Sequence, residues 1–277
     1  MVSDVGTVRL QHLQSFVTEV GSMTRSKVIV FAPDLHFPKH DEPTVRAMMD
    51  YIRRNRVDSF IFGGDQFDNE EISRHNIGKN LYKPTGSFKR NEENFDKHFL
   101  TPLEQLLKGA DKHWIIGNHC DWERQLTETQ PELDGCFDRT INLHLKKRGW
   151  NIIENGKCLK VGKLAVIHGD QLSTGFGAGT YPTKRALEIY MKSVLFGHTH
   201  QAQSFAKVCP VENTQRYMAW SSPVLCKLNP TYMKNKPCAW INGFSIIEVL
   251  SSGDFNVFPI VVTKGRFSFG GKVYGSK

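Results

Sequence analysis

Short apolar runs that stop at a glycine or proline and then present a carboxylate, amide or imidazole recur along this chain. Lys27-Val28-Ile29-Val30-Phe31-Ala32 is the first and ends at Pro33-Asp34-Leu35-His36. Ser59-Phe60-Ile61-Phe62 is the second; it stops at Gly63-Gly64 and presents Asp65 and then Asp68. Continuous runs of this length, rich in β-branched and aromatic residues, predict strands buried on both faces. Between the two, Asp41 and Pro43 open a segment whose apolar positions Val45, Met48, Met49 and Ile52 share one helical face. Strand, helix and strand in about forty residues form a βαβ unit, so the sheet is predicted to be parallel here. An Asp at the carboxyl end of a buried strand stands where an open α/β sheet places its chemistry. An ordinary Gly-Asp turn is the alternative at any one such position.

The remaining chain continues the alternation. Residues up to about Arg25 show no period and predict an irregular arm or edge strand. Glu70 to Arg90 mixes Arg74, His75, Lys79, Lys83, Lys89 and Arg90 with Pro84 and Gly86, which predicts a long basic loop. A helix with Phe95 and Phe99 follows, is interrupted at Thr101-Pro102, and restarts with Thr101 as cap through Leu103, Leu106 and Leu107. A strand over 112–116 ends at Gly117-Asn118-His119, and 121–150 reads as helix with a break near Pro131. A hairpin over 158–167 turns at Gly162-Lys163 and ends at His168-Gly169-Asp170. The Gly-, Ser- and Thr-rich stretch 171–182 predicts a flexible loop, and 183–192 a helix. Val194-Leu195-Phe196 is a last apolar run, ending at Gly197-His198-Thr199-His200. Beyond it, short strands broken by Pro and Gly predict that 201–277 belongs to a second sheet. With no internal repeat or linker, the expectation is one domain over 1–277 with its motif core at 27–200.

Composition narrows the setting. At 277 residues, with 39% hydrophobic and 23% charged residues, the chain can bury a large core. No apolar run approaches the roughly 18–20 residues that cross a bilayer, and the polar start does not resemble a secretory signal. Cys120, Cys136, Cys158, Cys209, Cys226 and Cys238 form no C-x-x-C pair, which points to reduced thiols in a cytoplasmic protein. The formal charge is +8, and nine Lys or Arg against three acids from Ala202 to Lys277 account for +6 of it. Such a surplus favours polyanionic partners, though a solvated basic surface reads the same way.

Five strand ends carry Asp34 and His36, Asp65, Asn118 and His119, His168, and His198 and His200. Each offers a metal ligand or a proton carrier, and five coincidences are more than turn chemistry supplies. A mixed carboxylate, amide and imidazole set suits manganese, iron or zinc better than magnesium or calcium alone. The lack of thiolates argues against a structural zinc site.

The ordered set D-x-H, G-D-x-x-D, G-N-H, H and G-H-x-H from Asp34 to His200 resembles the calcineurin-like metallophosphoesterases. The resemblance implies an α/β four-layer sandwich of two mixed β-sheets flanked by helices, with two divalent metals at the strand carboxyl ends. It implies that Asp34, His36, Asp65 and His200 hold one metal, and that Asp65, Asn118, His168 and His198 hold the other. His119 would be the catalytic histidine and Asp68 the carboxylate that orients it. Mn²⁺ is the first expectation, with Fe, Zn, Ni or Mg as alternatives. Two cations about 3.5–4 Å apart acidify a water between them and clamp phosphoryl oxygens.

Departures from the resemblance narrow the chemistry. Asp68 is followed by Asn69-Glu70 where protein Ser/Thr phosphatases have Arg-Gly, and His119 is followed by Cys120 rather than an acid. Arg124 resembles the arginine that follows this motif in those enzymes but is displaced; it reaches a phosphate or makes a surface salt bridge. The leading expectation is a phosphodiesterase or nuclease-like hydrolase acting on nucleic acid or nucleotide. Lys83, Lys89, Arg90 and the C-terminal Lys264, Arg266 and Lys272 are the candidate backbone contacts. Tyr82, Phe88, Phe267 and Phe269 stand between these charges, either as base-stacking platforms or as core. A phosphomonoesterase or small-metabolite hydrolase is the alternative, and a metal-free binding scaffold a third.

Overall fold

The computed structural model describes residues 25–73, 87–172, 180–208, 210–211, 216–229 and 238–275. The first apolar run forms β1 (Lys27–Ala32) and the second β2 (Ser59–Phe62), paired in parallel with Ile29 opposite Ser59. Helix α1 (Glu42–Arg54) joins them, capped by Asp41, whose side chain accepts from the Thr44 N–H at 2.9 Å. β3 (Asp111–Ile115) and β4 (Trp150–Ile153) extend the parallel set. On the other flank β10 (Gly243–Val249) runs antiparallel to β1, and β11 (Phe255–Val261) antiparallel to β10. The first sheet therefore has the order β11-β10-β1-β2-β3-β4.

The second sheet contains β5 (Leu159–Val161), β6 (Leu164–Val166), β7 (Val194–Phe196), β8 (Gln203–Val208) and β9 (Arg216–Ser221) in the order β5-β6-β7-β9-β8. Its inner pairs, β6 with β7 and β7 with β9, are parallel, and its outer pairs are antiparallel.

Side-chain alternation assigns the layers. Val30, Ala32, Phe60, Phe62 and Trp114 pack against Met48 and Ile52 of α1 and against Phe95, Phe99 and Leu103 of the segment at 88–106. Their alternate neighbours Ile29, Phe31, Ile61 and Ile115 meet Val161, Leu164, Val166, Leu195 and Trp220 of the second sheet. The outer face of that sheet, through Val194, Phe196 and Ala219, covers Ala186 and Leu187 of α6 (Pro182–Tyr190). Helices, sheet, sheet and helix give the four-layer sandwich, and burial on both faces explains the unbroken apolar runs. Phe62 is wholly buried among Phe99, Trp114 and Trp150. Truncating it to Ala would cost about 3–5 kcal/mol.

The structure departs from expectation at four places. Thr101 is not a cap: α2 (Phe88–Phe95) passes through a π-turn (Asp96–Leu100) into α3 (Thr101–Leu106) without a break. The Thr101 N–H reaches back to the Asp96 carbonyl, and this wider turn accommodates Pro102, which has no N–H to give. Second, 121–150 is not mainly helix. α4 (Asn118–Thr129) ends before Pro131, one turn of α5 (Arg139–Asn142) follows, and Trp150 opens β4, where it packs on Phe60, Phe62 and Trp114. Third, 201–277 is divided: β8 and β9 join the second sheet, whereas β10 and β11 complete the first. Last, β12 (Phe267–Phe269) and β13 (Lys272–Tyr274) form a separate hairpin that packs Phe267 and Tyr274 against Tyr51 of α1. The N-terminal arm and most of the loop at 171–182 lie outside the described residues.

Candidate metal centre

The segments leaving the carboxyl ends of β1, β2, β3, β6 and β7 converge. Asp34, His36, Asp65, Asn69, His198 and His200 all take left-handed backbone angles, with φ between 49° and 59°. For residues with a β-carbon this conformation carries strain, and such strain gathers where side-chain aim matters more than local comfort. Two glycines admit the carboxylates: a β-carbon at Gly117 would fall on the Asp65 carboxylate, and one at Gly197 on that of Asp34.

Two groups made only of expected ligands result. Asp34, His36 and His200 bring one donor atom each within 4.8 Å of the others, and so do Asp65, His168 and His198; His36, Asp68 and His119 form a third set at the same spacing. His200 Nε2 lies 3.1 Å from Asp34 Oδ1. His168 Nε2 lies 3.2 Å from Asp65 Oδ2 and 3.1 Å from Asn118 Oδ1. Asp65 also faces the first group, its Oδ2 standing 4.0 Å from His36 Nε2. The arrangement brings together all seven ligand candidates read from the sequence.

The donors suit a divalent cation. His168 Nδ1 donates to the Gly63 carbonyl at 2.9 Å, so its Nε2 is aimed inward. His36 donates from Nδ1 to Asp68 Oδ1 at 3.0 Å, and its buried Nε2 has no hydrogen-bond partner. A buried nitrogen facing two carboxylates at 3.8 and 4.0 Å asks for a proton or a cation.

Electrostatics agree. Burial alone would raise Asp34 and Asp65, but the imidazoles around them, His200 at Asp34 and His168 at Asp65, hold both well below the usual carboxylate range. Burial pushes His36 down, yet hydrogen bonds with Asp34 and Asp68 and the Asp65 charge lift it to about 10. His168 is lifted against its burial to about 9, chiefly by Asp65. His198, by contrast, is pushed down to about 4 by burial and by the neighbouring His168. The carboxylates thus favour positive charge at His36 and His168, as they would favour a cation.

His119 sits beside both groups, but Asp68 orients it differently from expectation. His119 Nδ1 donates to the main-chain carbonyl of Asp68 at 2.8 Å, while the Asp68 carboxylate is 3.9 Å away. That carboxylate is already engaged, by His36 Nδ1 and by Lys39 Nζ at 2.6 Å. Burial and the nearby His36 keep the His119 imidazole below its ordinary pKa. Trp122, one turn along α4, has its ring 4.1 Å from that of His119, and Trp240 is at the same separation from His200.

Arg124 is exposed and ion-paired with Asp121 at 2.7 Å and with Glu128, which is the salt-bridge alternative. Lys89 and Arg90 are exposed in the first turn of α2 rather than in a loop, and Lys83 lies outside the described residues. Phe88 and Phe267 are buried, so they are core and not platforms for bases. Sequence reasoning missed Lys39, Trp122, Trp240 and the buried Arg139. Lys39 lies three residues beyond His36, so its signal is local; the others depend on tertiary contacts.

A two-sheet sandwich with paired carboxylate–imidazole groups at its strand ends defines the metal-binding phosphoesterase class. Residues 27–202 match the calcineurin-like phosphoesterase family, and the chain belongs to it. The family uses divalent metals. No curated protein matches the chain. Among solved structures, it is similar to Vacuolar Protein Sorting 29 from Cryptosporidium parvum at 12% identity and TM-score 0.43, over 90% of this chain and 95% of that one. A metallophosphoesterase from Sphaerobacter thermophilus is similar at 12% identity and TM-score 0.39, over 80% and 84% of the two chains. The Entamoeba histolytica Vps29 complexed with zinc gives 12% and 0.38, over 83% and 97%. Among the described residues, no helix is long and apolar enough to cross a membrane.

Proposed function

We propose that the chain is a two-metal phosphodiesterase whose substrate is nucleic acid or a nucleotide. The observation that carries this reading is the pair of ligand groups that face each other across Asp65 and His36, with His119 held beside them. Asp34, His36, Asp65 and His200 would hold one ion, and Asp65, Asn118, His168 and His198 the other, with Mn²⁺ the first choice. Bound there, the ions would supply positive charge to phosphoryl oxygens and acidify a water. The chain's own residues do the rest. Asp68 fixes the His36 ring through Nδ1 and the His119 ring through its carbonyl. With Nδ1 committed, His119 has only Nε2 to hold a proton for the leaving oxygen. The polymer part of the proposal rests on the +8 charge and on the exposed Lys89 and Arg90. A cytoplasmic setting belongs to the same proposal, supported by free thiols at Cys120, Cys136, Cys158, Cys226 and Cys238.

The test is a hydrolysis panel of bis-p-nitrophenyl phosphate, p-nitrophenyl phosphate and single-stranded DNA, with Mn²⁺ and with EDTA. Cleavage of the diester and DNA with Mn²⁺ but not EDTA is expected. Cleavage of the monoester alone would move the assignment to a phosphomonoesterase, and no cleavage of any would favour a binding scaffold.

A further inference from the structure

Asn69 occupies the position where the motif departs from the protein phosphatases, and its contacts are unusually complete. It is buried with φ 50°, a conformation that Asn tolerates better than most residues. Its Nδ2 donates to the His119 carbonyl at 3.0 Å and to Glu123 Oε1 at 3.0 Å. Its Oδ1 receives a fork from Arg139, from Nε at 2.9 Å and Nη2 at 2.8 Å. Arg139 is itself only 3% exposed, and its guanidinium lies between the Phe67 and Phe88 rings at 3.8 and 3.6 Å. A guanidinium is costly to bury unless it is paired and hydrogen-bonded, and here the fork and the Phe88 carbonyl give each of its three nitrogens a partner, with the Glu123 carboxyl 3.5 Å away.

His119 is thereby held at three points by one loop. Its N–H donates to Asp65 Oδ1 at 2.9 Å, its ring to the Asp68 carbonyl at 2.8 Å, and its carbonyl accepts from Asn69. The Asn69 backbone also sets the direction of the Asp68 carbonyl, since the two share a peptide unit. We infer that Asn69 and Arg139 are positioning residues that lock the His119 imidazole toward the leaving oxygen. This rests on the reading of His119 as proton donor. Neither residue is among the ligands, so the two roles separate experimentally. Arg139 holds the Asn69 amide in the one orientation that donates to His119. A rotated amide would set a carbonyl oxygen against a carbonyl oxygen.

The test uses Mn²⁺-loaded enzyme and two diesters, one with a nitrophenolate leaving group and one dinucleotide with an alkoxide leaving group. Asn69→Gly tolerates the positive φ while removing the side chain. It should lower kcat on the dinucleotide by roughly 10–100-fold, the range seen when an orienting partner is lost. On the nitrophenyl diester, which needs little proton donation, kcat should fall by less than about 3-fold, with KM and metal content unchanged. Arg139→Lys keeps the positive charge without the fork and should show the same pattern at smaller amplitude. The double variant should be no worse than Asn69→Gly, because both act through one bond network. Equal losses on both substrates, or no loss on either, overturn the inference. His119→Gln is run alongside. If it shows no leaving-group dependence, the proton-donor reading and this inference fall together. If it does and Asn69→Gly does not, only the positioning role falls.

Discussion

His36 gives its Nδ1 proton to Asp68 at 3.0 Å and turns a buried, partnerless Nε2 toward Asp34 at 3.8 Å and Asp65 at 4.0 Å. One ring thus joins the loop after β1 to the loop after β2, and its second nitrogen marks where a cation belongs. If two metals bind as proposed, His36→Ala should lose one of them, with affinity at that position down more than the roughly 100-fold typical of losing an outer partner. Asp65→Asn should on the same proposal lower occupancy of both positions, because the Asp65 carboxylate faces His36 at 4.0 Å and His168 at 3.2 Å. Metal content after gel filtration measures both. Two metals per chain in Asp65→Asn would remove the shared-carboxylate reading.

Protonation supplies an independent check. In the metal-free chain His36 is raised to about 10 and His168 to about 9, above the ordinary imidazole value. A raised imidazole contributes stability that is fully present below about pH 6.5 and lost as pH climbs through the folded pKa. Metal ligation requires the neutral ring, so binding at pH 7 should expel about two protons. Metal-free stability should accordingly fall between about pH 6.5 and 10, while metal affinity rises over the same window. The gap in Tm between loaded and metal-free protein should widen from pH 6.5 to 9. Calorimetry in buffers of different ionisation heat counts the protons directly, and a count of zero contradicts the assignment.

Much of this was readable in the chain because the decisive signals are local. Apolar runs such as 27–32 and 59–62 fix the strands, and the ligand candidates follow those runs directly. What could not be read depends on distance or on backbone direction. Nothing near β10 says that it pairs with β1, some 200 residues earlier, rather than with the second sheet. Thr101-Pro102 has the composition of a helix start, and only the π-turn before it lets the helix continue. The sequence presents Asp68 to His119 as a carboxylate, because side chains are visible in a sequence and carbonyl directions are not. The positive φ at Asn69 is what separates the two. Aromatic residues among charges read alike whether they are core or platform, and Phe267 proved to be core against Tyr51.

The glycines of the motifs give a prediction that touches no ligand. Gly117→Ala would place a methyl group on the Asp65 carboxylate, and the backbone of Asp65 is also within 2.5 Å of that methyl. Neither the carboxylate nor the main chain can give way cheaply, since Asp65 is held by His119 N–H and faces His168. The variant should keep its far-ultraviolet circular dichroism but lose metal and activity together, the same outcome expected of Asp65→Asn. Gly109→Ala serves as the control, because its methyl would meet nothing within 4 Å. With φ at 81° there, a modest stability loss of about 1 kcal/mol is expected, without loss of metal. Retained metal in Gly117→Ala would mean that the loop after β3 has room that this structure does not show.

The last prediction concerns the polyanion. Lys89 and Arg90 are exposed on the first turn of α2, directly after the basic stretch that begins at Arg74. If they contact phosphates, binding releases counterions and the affinity falls with salt. Each lost contact should lower the slope of log K against log salt by about 0.7 for a single strand and 0.9 for duplex. Lys89→Ala/Arg90→Ala should therefore flatten the slope for single-stranded DNA by about 1.4 and weaken binding equally across sequences. Binding is measured on a His119→Gln background, where substrate persists, between 50 and 200 mM salt, roughly the range over which such contacts are lost. Hydrolysis of bis-p-nitrophenyl phosphate should be unchanged by the double substitution, since neither residue is among the ligand groups or hydrogen-bonds to His119. A solvated basic helix face predicts the opposite: an unaltered slope, with DNA binding weak even at low salt. That result would leave the metal centre in place and move the substrate assignment toward a nucleotide or another small diester.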